Sequence, residues 1–133
     1  MAINRTVLRF GAGILAFSVL SAMFLPRVLR QHGYALPGRN GIPCTIPYGQ
    51  RSYVGSLECD RDYMYGKTLN CRSQTDLINK GWWPLERVGS IPTLLGASRP
   101  LFVESRLKQD TPTAVFMLVE PGCYVPYSLL GGP

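Results

Sequence analysis

The chain is 133 residues long, room for one domain beside a membrane segment, and its net charge of +6 is unevenly placed. Residues 1–57 hold six arginines (Arg5, Arg9, Arg27, Arg30, Arg39, Arg51) and no acid, whereas residues 58–133 hold eight basic and eight acidic groups. The high isoelectric point therefore belongs to the N-terminal part, which argues against nucleic-acid binding by the domain itself.

Residues 1–9 form a basic tail. Phe10–Pro26 (FGAGILAFSVLSAMFLP) follows without a charge, bracketed by Arg9 and Arg27. At helical rise this run is roughly 25 Å long against a hydrocarbon core of ~30 Å. Arg5, Arg9, Arg27 and Arg30 are expected to reach lipid headgroups and make up the difference. A secretory signal peptide is the main competitor, but the segment has no Ala-x-Ala site, and Val19-Leu20-Ser21 is only a passable substitute. An uncleaved single-pass anchor is the reading adopted. Gly11, Ala12, Ala16, Ser18 and Ala22 make the helix rich in small residues, with Ala12/Ala16 and Ser18/Ala22 four apart. Such faces let a second transmembrane helix approach closely.

Residues 27–43 are rich in Gly, Pro and Arg and read as a connector: Arg27–Gln31 can continue the helix for a turn, although Pro26 tends to kink or end it, and the rest reads as extended. Residues 44–133 read as a small β-rich domain, all-β or α+β. Strands are expected near Cys44–Tyr48, Tyr53–Cys59 and Tyr63–Cys71. Ser73-Gln74-Thr75-Asp76 fits a capping box opening a short helix at Thr75–Lys80, which Gly81 can close. Leu101, Val103 and Leu107 alternate with charged residues as a half-buried strand, Thr113–Val119 is nearly all apolar, and Cys123–Leu130 follows the Pro121-Gly122 turn. These three make a meander.

Cys44, Cys59, Cys71 and Cys123 have no CxxC spacing and no nearby histidine, so they suit two disulfides rather than zinc. That in turn suits an extracytoplasmic domain, although Arg27, Arg30 and Arg39 outnumber Arg5 and Arg9 on the positive-inside count. The segments Cys44–Tyr48 and Cys123–Tyr127 both read C-x-[IV]-P-Y. Proline donates nothing to a ladder, so both are expected as edge strands or bulges. If they lie side by side, the bridges are Cys44–Cys123 and Cys59–Cys71; three pairings are open.

Chemistry is thinly represented. His32 is the only histidine and sits in the connector, far from any structured nucleophile. Glu58, Asp60 and Asp62 read first as a solvated charged turn that Arg61, Lys67 and Arg72 can neutralise locally; on a strand they would share one face and could receive calcium or a partner's basic group. A carboxylate hydrolase would need Glu58 or Asp62 beside Glu120, which nothing places there. Trp82 and Trp83, with Tyr48, Tyr53, Tyr63 and Tyr65, could stack on sugars or anchor a protein interface. No motif is specific enough to name a family. The expectation is a non-enzymatic accessory subunit of a larger membrane complex, with no cofactor, metal or small-molecule substrate, whose partners are lipids and other transmembrane subunits. The alternative is a membrane-tethered binding module for glycan, peptide or a surface protein.

Overall fold

The computed structural model describes residues 5–38, 41–55, 59, 69–107 and 111–130, with backbone alone for residues 5–9. One apolar N-terminal helix leads into a strand-rich half-barrel sheet carrying two disulfides.

Helix α1 runs Arg5–Gln31, carrying on through Pro26 for the extra turn open to Arg27–Gln31. Proline removes one i→i−4 bond, but an otherwise apolar run keeps its remaining bonds, as membrane-type helices commonly do. The helix ends by a turn with two reversed bonds: Gly33 donates to the Arg30 carbonyl at 3.3 Å and Tyr34 to that of Leu29 at 3.0 Å. This Schellman arrangement needs a left-handed residue, supplied by Gly33 at φ 85°. A Cβ there would also meet Pro47 Cδ at 3.0 Å and the Thr45 carbonyl at 3.2 Å, so the helix exit lies directly against the first strand.

The strands are β1 (Thr45–Tyr48), β2 (Arg51–Val54), β3 (Leu85–Ile91), β4 (Arg99–Glu104), β5 (Ala114–Glu120) and β6 (Cys123–Leu129), with helix α2 (Gln74–Asn79) between β2 and β3. They form one antiparallel sheet in the order β1-β2-β6-β5-β4-β3. The meander β4-β5-β6 stands as the alternation suggests, except that Leu107 falls in a 3-10 turn, Ser105–Leu107, after the strand. The second expected strand stops at Val54, and 69–71 carry no strand; the rest of Tyr63–Cys71 lies outside the described residues. The capping box is present: Ser73 Oγ accepts from the Asp76 amide at 3.0 Å, and Asp76 Oδ2 accepts from the Ser73 amide at 3.3 Å.

Register separates two apolar faces. Leu101, Met117 and Val125 are cross-strand neighbours on the inner face, as are Val115 and Tyr127, and Ile46 and Tyr53. With Ala35, Ile91, Val103 and Cys123 they form the core. Phe102 and Phe116 pair on the outer face, where Trp82 meets Phe116 edge-on at 5.3 Å and Phe102 meets Tyr124 at 5.2 Å. The Trp82 amide donates to the carbonyl of Leu77, the buried residue of α2, so this segment covers the outer face.

The two C-x-[IV]-P-Y segments are not neighbours, because β2 lies between β1 and β6. Pro47 does sit on an edge strand. Pro126 sits in an interior one, at a gap in the ladder. Along β6 the Tyr124 amide donates to Arg72 and the Leu130 amide to Ser52, both on the β2 side. The Pro126 position faces that same side, between the Arg72 bridge and the Ser128–Val54 pair, so no donor is needed there.

The connector is packed rather than extended. Ala35 and Leu36 are buried, Ala35 forms a parallel bridge with Thr93 after β3, and Pro43 leads into β1. Gly33 thus lies against the β1 edge and Ala35 reaches the β3 edge, before Pro43 leads back into β1. Gly41 fits under Leu36 so closely that a Cβ would lie 2.9 Å from the Leu36 Cβ and nearer still to its carbonyl carbon.

Candidate functional site

The most heavily constructed place in the molecule is the junction between α1 and the sheet. Arg30 was expected at lipid headgroups; it is instead 2% exposed within the domain. Its Nε donates to the Ile42 carbonyl at 2.7 Å, and its Nη2 lies 3.4 Å from the Cys59 carbonyl and 3.1 Å from Cys59 Sγ. The Arg30 carbonyl accepts the Cys44 amide at 2.9 Å, and Thr45 Oγ1 donates to the Gln31 carbonyl at 2.6 Å. A guanidinium satisfies several carbonyls at once from one rigid fork, which makes it suited to this position. Its location on the helix face turned toward the returning chain, rather than lipid, follows from the Gly33 turn.

The disulfides are Cys44–Cys59 and Cys71–Cys123, not Cys44–Cys123 and Cys59–Cys71. The insertion of β2 between β1 and β6 separates Cys44 from Cys123. Cys44–Cys59 backs the Arg30 site, and Cys71–Cys123 pins the chain before α2 to the start of β6, where Arg72 bridges Tyr124. Cys71, Glu120 and Cys123 place ligand-type atoms together, but the two sulfurs are bonded to each other and unavailable as thiolates.

Two tyrosines hold the connector and a second loop from inside the core. Tyr127 donates its hydroxyl to the Pro43 carbonyl at 2.7 Å, and Tyr53 to that of Pro112 at 2.9 Å. Burial pushes both phenols above the usual tyrosine range. Arg99 clasps the outer end of the connector, donating to the Gly38 and Val119 carbonyls, and its partial burial lowers its pKa from the ordinary arginine value. None of these three roles was read from the sequence. The alternation Cys123, Val125, Tyr127 on one strand face was the available signal for Tyr127.

The small residues of α1 are left bare. Gly11, Ala12, Ala16, Ser18 and Ala22 are exposed, and Gly11 has nothing within 4 Å of its would-be side chain. Ser18 donates its hydroxyl to the Ile14 carbonyl at 2.9 Å, so it offers a neighbour small size rather than a free donor. Arg27 is exposed, and the side chains of Arg5 and Arg9 lie outside the described residues.

Trp82 was expected as a partner contact and is half-buried against Phe116, because the turn after α2 directs it onto the outer sheet face. Trp83, its neighbour, is 51% exposed, with the Arg106 guanidinium 5.8 Å from its ring centroid. Glu104 accepts the Trp83 amide at 3.0 Å and lies 3.6 Å from Arg106, which fixes this small patch. Tyr53 is buried and cannot stack on a ligand; Tyr48 meets it edge-on at 6.2 Å. Glu58, Asp60, Asp62, Tyr63 and Tyr65 lie outside the described residues. A depression of about 410 Å³ lies between the 93–98 loop, Pro37 and the β5–β6 turn, and a smaller one of about 340 Å³ beside Tyr48 and Arg51.

Taken together, α1 from Phe10 to Gln31 is long and apolar enough to cross a membrane, none of its apolar window is buried, and its last turn is locked into the sheet domain. Comparison with protein-family models, curated proteins and solved structures found no match for the chain.

Proposed function

We propose that the chain is a non-catalytic accessory subunit of a larger membrane complex, held by a single-pass helix with its domain on the extracytoplasmic side. The observation that carries this reading is the contrast within α1. Its apolar length is wholly bare and presents small-residue faces, while Arg30 fixes its end to the domain. An apolar run left bare by the described residues, yet shaped for close approach, fits packing against another transmembrane helix. The two disulfides favour an oxidising compartment. The burial of Arg30 also withdraws one charge from the headgroup count that had opposed this orientation.

The test is the native size of the protein extracted from its own membranes in mild detergent. Co-migration with a large complex at fixed stoichiometry is expected; migration as a free monomer would overturn the reading. Trp83 favours a second reading, a membrane-tethered binding module, since an exposed aromatic held by Arg106 and Glu104 is a preorganised contact. Free migration together with glycan or peptide binding lost on Trp83→Ala would move the assignment there.

A further inference from the structure

We infer that the loop 93–98, with Tyr34, forms a second membrane contact: it rests in the interfacial layer of the bilayer that α1 spans. The inference rests on the reading of α1 as a membrane helix and adds a surface of the domain to it.

The loop is tied to the helix exit by two short links. The Tyr34 amide lies 3.0 Å from the Leu29 carbonyl, which holds Tyr34 level with the last turn of α1. The next residue, Ala35, accepts the Leu94 amide at 3.0 Å and forms the bridge to Thr93. Leu94 and Leu95 are therefore carried beside the end of the anchor, and they are 50% and 75% exposed, with Tyr34 at 43%. Leu95 is the most exposed large apolar side chain of the described residues, the helix included.

The surroundings suit lipid. Residues 93–98 (TLLGAS) contain no charge, and 31–38 (QHGYALPG) hold His32 as their one titratable group besides the Tyr34 phenol, so these two segments bring no acid, lysine or arginine to the lipid, although Arg99 and Glu120 line the depression that Leu95 shares. The loop is also preorganised, since Thr93 Oγ1 donates to the Ala97 carbonyl at 2.9 Å across its neck. Leucines inserted at the acyl boundary and a tyrosine at headgroup level are the side chains an interfacial contact uses.

The experiment uses the full chain reconstituted in phosphatidylcholine vesicles whose acyl chains are brominated, with Leu95→Trp as reporter. Emission is compared with that of the unsubstituted chain, which carries Trp82 and Trp83. Because Leu95 is exposed, the substitution leaves the fold intact, checked by an unchanged melting transition. Expected is an added emission that is blue-shifted and quenched by bromine. Added emission that is red-shifted and unquenched, in protein that floats with the vesicles, overturns the inference while leaving the membrane helix standing. Protein that fails to float overturns both.

Discussion

The meander and the helix junction are held by different physics. In β4-β5-β6, Leu101, Met117, Val125 and the Val115–Tyr127 pair bury apolar area that is shared among many neighbours. At the junction a few directed bonds converge on single residues: Arg30 on Ile42 and Cys59, Tyr127 on Pro43, Arg99 on Gly38. Distributed burial sets how stable the sheet is. Directed bonds set where the helix stands relative to it, and they do so through groups whose loss costs the sheet little.

The sharpest way to break the meander alone is Phe116→Ala, which empties a site 1% exposed on the outer face. A loss of about 3–5 kcal/mol is expected from denaturant titration of the detergent-solubilised chain. A loss below that of the disulfide variants would place the main stability elsewhere. Next come the two bridges. Removing Cys71–Cys123 by paired alanines releases a separation of 52 residues and removing Cys44–Cys59 one of 15, so losses of about 4 and about 3 kcal/mol are expected. The smaller loss should carry the larger change in coupling: only the Cys44–Cys59 variant should expose residues 32–43 to limited proteolysis. Equal cleavage in both variants would erase the distinction between the regions. The mildest is Tyr127→Phe, which leaves the buried Pro43 carbonyl without its donor at a cost of about 1–3 kcal/mol.

The same tyrosine gives the comparison a pH dependence. Its folded-state pKa is raised, first by burial, so the folded chain keeps a proton that the unfolded chain loses above about pH 10. Its contribution is fully present below that pH and declines as pH rises toward the folded value. Melting temperatures measured from neutral pH upward should fall above about pH 10 in the parent chain and less steeply in Tyr127→Phe.

Local signals were legible because their physics is local. The capping box at Ser73 and Asp76 needs only neighbours, and the alternation through Leu101 and Val103 reports a face already decided by adjacent strands. β3 was not anticipated. It is an edge strand with a register shift between Arg87 and Gly89, exposes Glu86, Arg87 and Ser90, and so shows no period of two. The disulfide pairing failed for a non-local reason, since the sequence echo at Cys44 and Cys123 is blind to a strand inserted between its copies. Arg30 was misplaced because an arginine after an apolar helix looks the same whether lipid headgroups or a returning chain receive it. Gly33 decided between them, by turning the chain back. The four-residue spacing of the small residues of α1, by contrast, was legible, as it depends on helical periodicity alone; that they stand exposed is seen only in the structure.

The Gly33 turn and the Arg30 lock also make the helix and sheet one lever. Ahead of the lock, the uncharged run Phe10–Pro26 is about 25 Å at helical rise, slightly less than a typical hydrocarbon core. In a bilayer the tilt and rotation of such a helix are set by its packing against neighbours and by its interfacial anchors. With a slack connector the domain would ignore that rotation. Here the angle of α1 is handed directly to the sheet through Arg30, so whatever turned the helix in a membrane would turn the domain with it.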